Sequence, residues 1–222
     1  MMQVLPAKGS ESYIRALFWE TVSIGNPLPF TLSCARRYEE LGLGWYLTQG
    51  INDAAVVERD GNVIGYGLFC ADAQSFRKHQ NRQILLLAIE VLFAFFTFRT
   101  NVESRRFYWY RIRDSLTIFR SRNTLPADVH AHAHLNVNRA NHDAFAARML
   151  RDHSDAMCRR RGLNAYFGEM NAVGGKRLLS LRRVGGDVVN ESRNFTFSWL
   201  AGAQVRRLTL VRTVDSQREM AA

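Results

Sequence analysis

The chain has 222 residues, 47% of them hydrophobic, and 30 lysines and arginines against 20 aspartates and glutamates, a formal net charge of +10. A chain of this size can bury roughly 70% of its unfolded surface in one core. No stretch rich in proline, glycine or serine divides it, and repeats and low-complexity tracts are absent, so residues 1–222 are expected to form a single domain. Cys34, Cys70 and Cys158 show no metal-ligand spacing, and no charged segment with an apolar run behind it opens the chain. A cytoplasmic protein with buried, inert thiols is the expectation.

In chain order, the first clear element is Asp53 to Phe69, two β-branched runs around Asp60-Gly61-Asn62, which predicts two strands joined by a tight turn. Ile84 to Phe98 is the most apolar run. As a helix it spans about 22 Å, short of the roughly 30 Å of a hydrocarbon core, so it predicts no membrane span. Gln83, Glu90 and Thr97 recur every seven residues and draw a polar stripe on that helix. Arg105 to Arg120 places Trp109, Ile112, Leu116 and Phe119 on a second apolar face. Together these predict a helical hairpin, inserted over residues 76–127, that buries the two apolar faces against each other.

His130 to Val137 alternates strictly, so His130, His132, His134 and Asn136 share one strand face, with Ala131, Ala133, Leu135 and Val137 on the other. Helical spacing then takes over, with Phe145, Met149 and Leu150 in register and Asn141 or Asp143 placed to cap the new helix. A helix start beside a polar strand face is suited to phosphate. Leu163 to Met170 reads as a strand, Lys176 to Val184 as a helix stopped by Gly185-Gly186, and Asn194–Leu200 with Val205–Thr213 as a closing pair of strands.

Ala131 to Asn136 resembles the Ala-His-Leu-His-Ile-Asp strand of the GNAT-type N-acetyltransferases, and Asp60-Gly61-Asn62-Val63-Ile64-Gly65-Tyr66 resembles the second hairpin of that family. The likeness spans about Val4 to Thr213. It implies an α/β fold with a mixed, mostly antiparallel central sheet flanked by helices, interrupted here by the helical insertion. It implies acetyl-CoA or another acyl-CoA as donor and a small-molecule amine as acceptor. The donor's pyrophosphate would meet the residues that stand where the family has Gln/Arg-x-x-Gly-x-Gly/Ala, here Asn141 to Ala146, with both glycines replaced by alanine. Pantetheine would pair with the backbone of Leu135 and Val137, and the phosphates with the N–H groups of His142, Asp143, Ala144, Phe145, Ala146 and Ala147. His132 or His134 would act as general base, Asn136 would orient the acceptor, and Glu169 is a competing base. The family's acid is a tyrosine near the end of the helix after the fifth strand. Leu181 stands in that place, and a leucine donates no proton.

The positive charge is almost all arginine, since Lys8, Lys78 and Lys176 are the only lysines. That favours anionic partners such as CoA or an acidic acyl-carrier protein, and it fits tRNA-dependent transfer without any residue signature for it. No zinc-finger, helix-turn-helix or RNA-binding aromatic pattern is present, so nucleic-acid recognition is not expected. The alternating histidines lack a fourth-ligand pattern, so no metal is expected. A donor borne on a carrier protein, and a non-catalytic binding or regulatory module, remain as alternatives, and the insertion could serve a homodimer.

Overall fold

Strand segments in the chain are short β-branched runs separated by turn residues, and in the structure they collect into one sheet. A computed structural model describes residues 1–121, 125–138, 144–173 and 185–214. The strands are β1 (Met2–Pro6), β2 (Ala55–Arg59), β3 (Asn62–Cys70), β4 (Ala131–Val137), β5 (Ala165–Val173), β6 (Asp187–Arg193) and β7 (Val205–Thr213). Their order is β1-β2-β3-β4-β5-β7-β6, and every neighbouring pair is antiparallel except β4 and β5. The predicted β2–β3 turn forms at Asp60 and Gly61, both at positive φ (51° and 81°), as the right-handed twist of a hairpin requires. The expected mixed, mostly antiparallel α/β sheet is therefore present.

Helices cover both faces. On one side lie α1 (Glu11–Thr21) and α2 (Ala35–Thr48), whose Ile14, Leu43, Trp45 and Tyr46 pack on Val56, Tyr66 and Leu68. On the other lies α5 (Ala144–Arg160), the helix expected after β4, whose Leu150 and Met157 bury the alanine face of that strand. Gly65 of β3 lets α5 come close: a Cβ there would sit 2.9 Å from the Asn136 carbonyl oxygen and 3.3 Å from Leu150. The buried end of α5 is tied down by Asp155, which accepts hydrogen bonds from Tyr166 Oη (2.8 Å) and from Arg212 Nε and Nη2 (2.7 and 2.6 Å).

Two helices, α3 (Ala73–Phe96) and α4 (Val102–Ser121), connect β3 to β4. They do not bury the faces predicted for them. Trp109, Ile112, Leu116 and Phe119 are all more than half exposed, so the apolar stripe of α4 faces outward and not onto α3. On α3 the buried residues are Leu87 and Ala94. Of the polar stripe, Gln83 and Glu90 lie beside them and Thr97 is exposed: the half-buried Glu90 accepts from Arg37 of α2 (3.2 Å), and Gln83 Oε1 is buried with no hydrogen-bond partner among the described residues. Periodicity located the stripes correctly and gave no means of telling which side the rest of the chain would occupy.

A second correction falls near the C-terminus. Asn194–Leu200 is not a strand: Phe195–Ala201 is a helix, α6, whose cap residue Asn194 accepts from the Phe197 N–H through its side chain. Asp114 of α4 accepts from the Phe195 and Thr196 N–H groups as well, so two side chains satisfy the first turn of α6. The strand that pairs with β7 on the side away from β5 is Asp187–Arg193. The helix predicted over Lys176 to Val184, with Leu181, lies outside the described residues.

Candidate functional site

A parallel pair that parts company is the central feature. β4 and β5 pair only through Ala131–Tyr166, His132–Phe167 and Ala133–Gly168, although β4 continues to Val137 and β5 to Val173. Beyond that point β4 remains paired to β3 and β5 to β7, so among the described residues it is the two facing edges that have no strand partner. The Asn138 N–H donates to the Ile64 carbonyl (2.8 Å), which sets the phase of the β3–β4 ladder. Even-numbered residues of β4 turn their N–H and C=O toward β3, and Leu135 and Val137 turn theirs into the gap. Unpaired backbone groups of this kind bind an extended chain as an extra strand.

The first turn of α5 lies against the same end of β4, because Ala146 (0% exposed) packs with Val57, Ile64 and Leu150 while Leu135 and Val137 close around them. Ala144 and Phe145 are exposed there, and the first N–H groups of a helix have no partner within it. A small residue at position 146 is what lets this helix start sit close to the sheet. Asn141, His142 and Asp143 lie outside the described residues.

On the α1–α2 face the predicted polar row is in place, and its members differ. His132 is enclosed by rings, with Phe76, Phe167 and Tyr46 at centroid distances of 4.4, 5.4 and 5.7 Å, and its Nε2 is bonded to the Tyr46 hydroxyl. Burial, with His134 beside it, pushes its pKa down to about 3. His132 is therefore neutral and poorly matched to taking a proton from an ammonium group at neutral pH. His134 stacks on Tyr66 (5.9 Å, 25°) and keeps an exposed edge in the cleft, while the protein crowded around it lowers its pKa by desolvation. It stays neutral and reachable, which suits a base.

Asn136 Nδ2 donates to Thr21 Oγ1 and to the Tyr66 hydroxyl (3.2 Å), so it ties the end of α1 to the sheet. Glu169 stands on β5 just past the last β4–β5 pair and faces the buried Arg207 at 3.7 Å. Among the described residues no group of three His, Cys, Asp or Glu side chains is placed to hold a metal ion.

The structure thus brings His132, His134, Asn136 and Glu169 to one face and Leu135 and Val137 to the gap. Sequence reasoning missed Tyr46, Tyr66 and Thr21. Burial pushes the Tyr66 hydroxyl up to about 12 and raises that of Tyr46 well above the tyrosine range, so both stay protonated. Tyr46 lies 86 residues from His132, and nothing local in the sequence signals that pairing.

No protein-family profile matches the chain, and none of the curated proteins matches it. Solved structures do. An acetyltransferase from Salmonella typhimurium, solved with its cofactor acetyl-CoA, matches with TM-score 0.54 at 15% identity over 100% of this chain and 98% of that one. An N-acetyltransferase from Staphylococcus aureus matches with TM-score 0.54 at 11% identity over 97% and 99%. A ribosomal-protein-alanine N-acetyltransferase from Brucella melitensis matches with TM-score 0.52 at 13% identity over 96% and 99%. The parted β4–β5 pair, the sheet order and these neighbours together assign the chain the fold of the GNAT-type N-acetyltransferases.

Proposed function

We propose that the protein moves an acetyl or longer acyl group from a CoA thioester to an amine by direct attack. The observation that carries this reading is the gap between β4 and β5, with the backbone of Leu135 and Val137 aimed into it beside the start of α5. Leu135 and Val137 hold the pantetheine amides as a neighbouring strand would. The N–H groups of Ala144, Phe145, Ala146 and Ala147, with His142 and Asp143 ahead of them in sequence, face the pyrophosphate at the positive end of α5.

His134 takes the proton released as the amine nitrogen bonds to the carbonyl carbon, and a backbone N–H in the gap steadies the oxyanion. As the tetrahedral intermediate collapses the C–S bond breaks, and the proton taken from the amine passes from the His134 imidazolium, directly or through water, to the departing thiolate. No side chain is then needed in the place where Leu181 has no proton to give. His132 holds Tyr46 in place, and Asn136 sets Tyr66, the ring on which His134 rests. Glu169 faces the same cleft from β5.

Thiol release from acetyl-CoA in the presence of a panel of primary amines tests this reading. His134→Ala should lower kcat about 100-fold with the melting temperature unchanged. Failure of the wild-type protein to bind acetyl-CoA in a calorimetric titration, or full turnover by His134→Ala, overturns it.

A further inference from the structure

The faces of α3 and α4 that turn away from the protein are apolar where a soluble helix is ordinarily charged. Leu85, Ile89, Leu92, Phe93 and Phe96 on α3 are between 56% and 74% exposed, and Phe98 in the turn after it is 87% exposed. On α4, Val102, Trp109, Ile112 and Leu116 are between 55% and 71% exposed. Glu90 and Gln83 lie on the same side as the buried Leu87 and Ala94, and Glu90 is the one charged residue of 83–96, so the outer face of α3 carries no charge over this stretch. The two faces meet at the turn, where Arg105 of α4 lies over the Phe95 ring of α3 at 5.1 Å. Exposed apolar surface of this extent on one region marks an interaction site.

Charge identifies the occupant. Residues 73–121 hold nine lysines and arginines and three acidic residues, 9 − 3 = +6 of the chain's +10. Of the three acids, Glu90 is engaged with Arg37 and Asp114 is buried at the start of α6, which leaves Glu103 as the exposed one. Exposed Arg105, Arg106 and Arg113 lie over the rings of Phe95, Trp199 and Phe195 and not against carboxylates. A second copy would set arginine against arginine. An acidic protein partner would answer the charge but not the width of apolar surface on two helices. Aromatic and aliphatic side chains rimmed by guanidinium groups match the boundary of a bilayer that carries anionic headgroups.

We propose that the outer faces of α3 and α4 dock on an anionic lipid surface, with Leu92, Phe96, Phe98 and Trp109 entering the acyl boundary and the arginines reaching phosphate. No helix among the described residues is long and apolar enough to cross a membrane, so the contact is with one leaflet. The proposal stands whether or not the protein transfers an acyl group.

Co-sedimentation of the full chain with vesicles of phosphatidylcholine alone, and of phosphatidylcholine with phosphatidylglycerol, tests it, with light scattering to record oligomeric state. Binding is expected to the anionic vesicles and to weaken as salt rises. Brominated lipid should quench Trp109, and Trp109→Phe should remove that quenching. Arg99→Gln and Arg120→Gln, both at exposed positions, should each weaken binding about five-fold. Leu92→Glu with Phe96→Glu should weaken it at least about ten-fold while melting as wild type does. Absence of vesicle binding overturns the proposal, as does binding that survives Leu92→Glu with Phe96→Glu. A dimer that this double variant splits would assign the face to a second copy, and capture of an acidic acyl-carrier protein in place of vesicles would assign it to that partner; either overturns the lipid assignment.

Discussion

Behind β4, Ala131 and Ala133 lie under α5 with Met157, Cys158, Phe69 and Tyr166; in front, His132, His134 and Asn136 stand among aromatic rings and hydroxyl groups from α1, α2, α3 and β3. One alternation produces both faces, and they are held by different means. The back is short side chains under a helix, completed by a charged clamp at Asp155. The front is a chain of polar contacts from residues distant in sequence, with one member, His134, left open. A face fixed by packing can be changed without touching chemistry, whereas a face fixed by polar contacts cannot.

The largest effect should come from the back. Asp155 is 7% exposed and accepts from Tyr166 and twice from Arg212, so Asp155→Asn leaves the Arg212 guanidinium without its carboxylate. A loss of about 3–5 kcal/mol is expected in urea unfolding, with acetyl-CoA affinity unchanged in whatever folded protein remains. A loss of acetyl-CoA affinity by the folded variant would show that the back also shapes the gap, and would break the comparison.

The next effect belongs to the front and depends on pH. His132 has a folded-state pKa of about 3 against an ordinary value of 6.5. The unfolded chain therefore binds the extra proton first. The contribution is fully present above pH 6.5, falls as the pH drops below that, and is gone near pH 3. By pH 4 the loss from this residue is about 3 kcal/mol. Urea midpoints of wild type and His132→Phe between pH 7 and pH 4 should converge or cross as acid strips the wild type of that advantage. Parallel curves would place His132 in contact with water and undo the ring cage as its description.

How far these features could be read from the sequence follows the same division. The alternation in Ala131–Val137, the Asp60-Gly61 turn and the helix from Ala144 are local patterns, and each appears where the pattern placed it. Asn194–Leu200 went wrong because an apolar run of that length suits a strand or a short helix equally. Its helical state is settled by the Asn194 cap and by Asp114, 81 residues away. The orientation of α3 was illegible for a similar reason: a helix apolar nearly all round gives no preferred inner side, and the side that turns inward is the one where Leu87 and Val91 meet Tyr38, Phe107 and Tyr108 from other helices. At the site, residue types on β4 were legible. Their division of labour was not, since Tyr46, Phe76 and Phe167 decide that His132 is caged and His134 is not.

The smallest effect discriminates most finely, at Asn136. Its amide donates to Thr21 Oγ1, which itself donates to the Leu17 carbonyl (2.6 Å), and to Tyr66, a residue with no exposed surface. Asn136→Ala thus deprives both the Thr21 hydroxyl and the buried Tyr66 hydroxyl of their amide donor, at a cost of about 1 kcal/mol. Tyr66→Phe removes the hydroxyl itself. If the pair acts as a unit, the double variant should be less destabilised than the sum of the two by about 1 kcal/mol in urea unfolding. The same cycle read in kcat has a second use. Coupling in kcat as well as in stability would mean that the Tyr66 ring sets the orientation of His134, because Asn136 and His134 both contact Tyr66. Coupling in stability alone would leave Asn136 as the tie between α1 and the sheet and return the orientation of His134 to its own cleft.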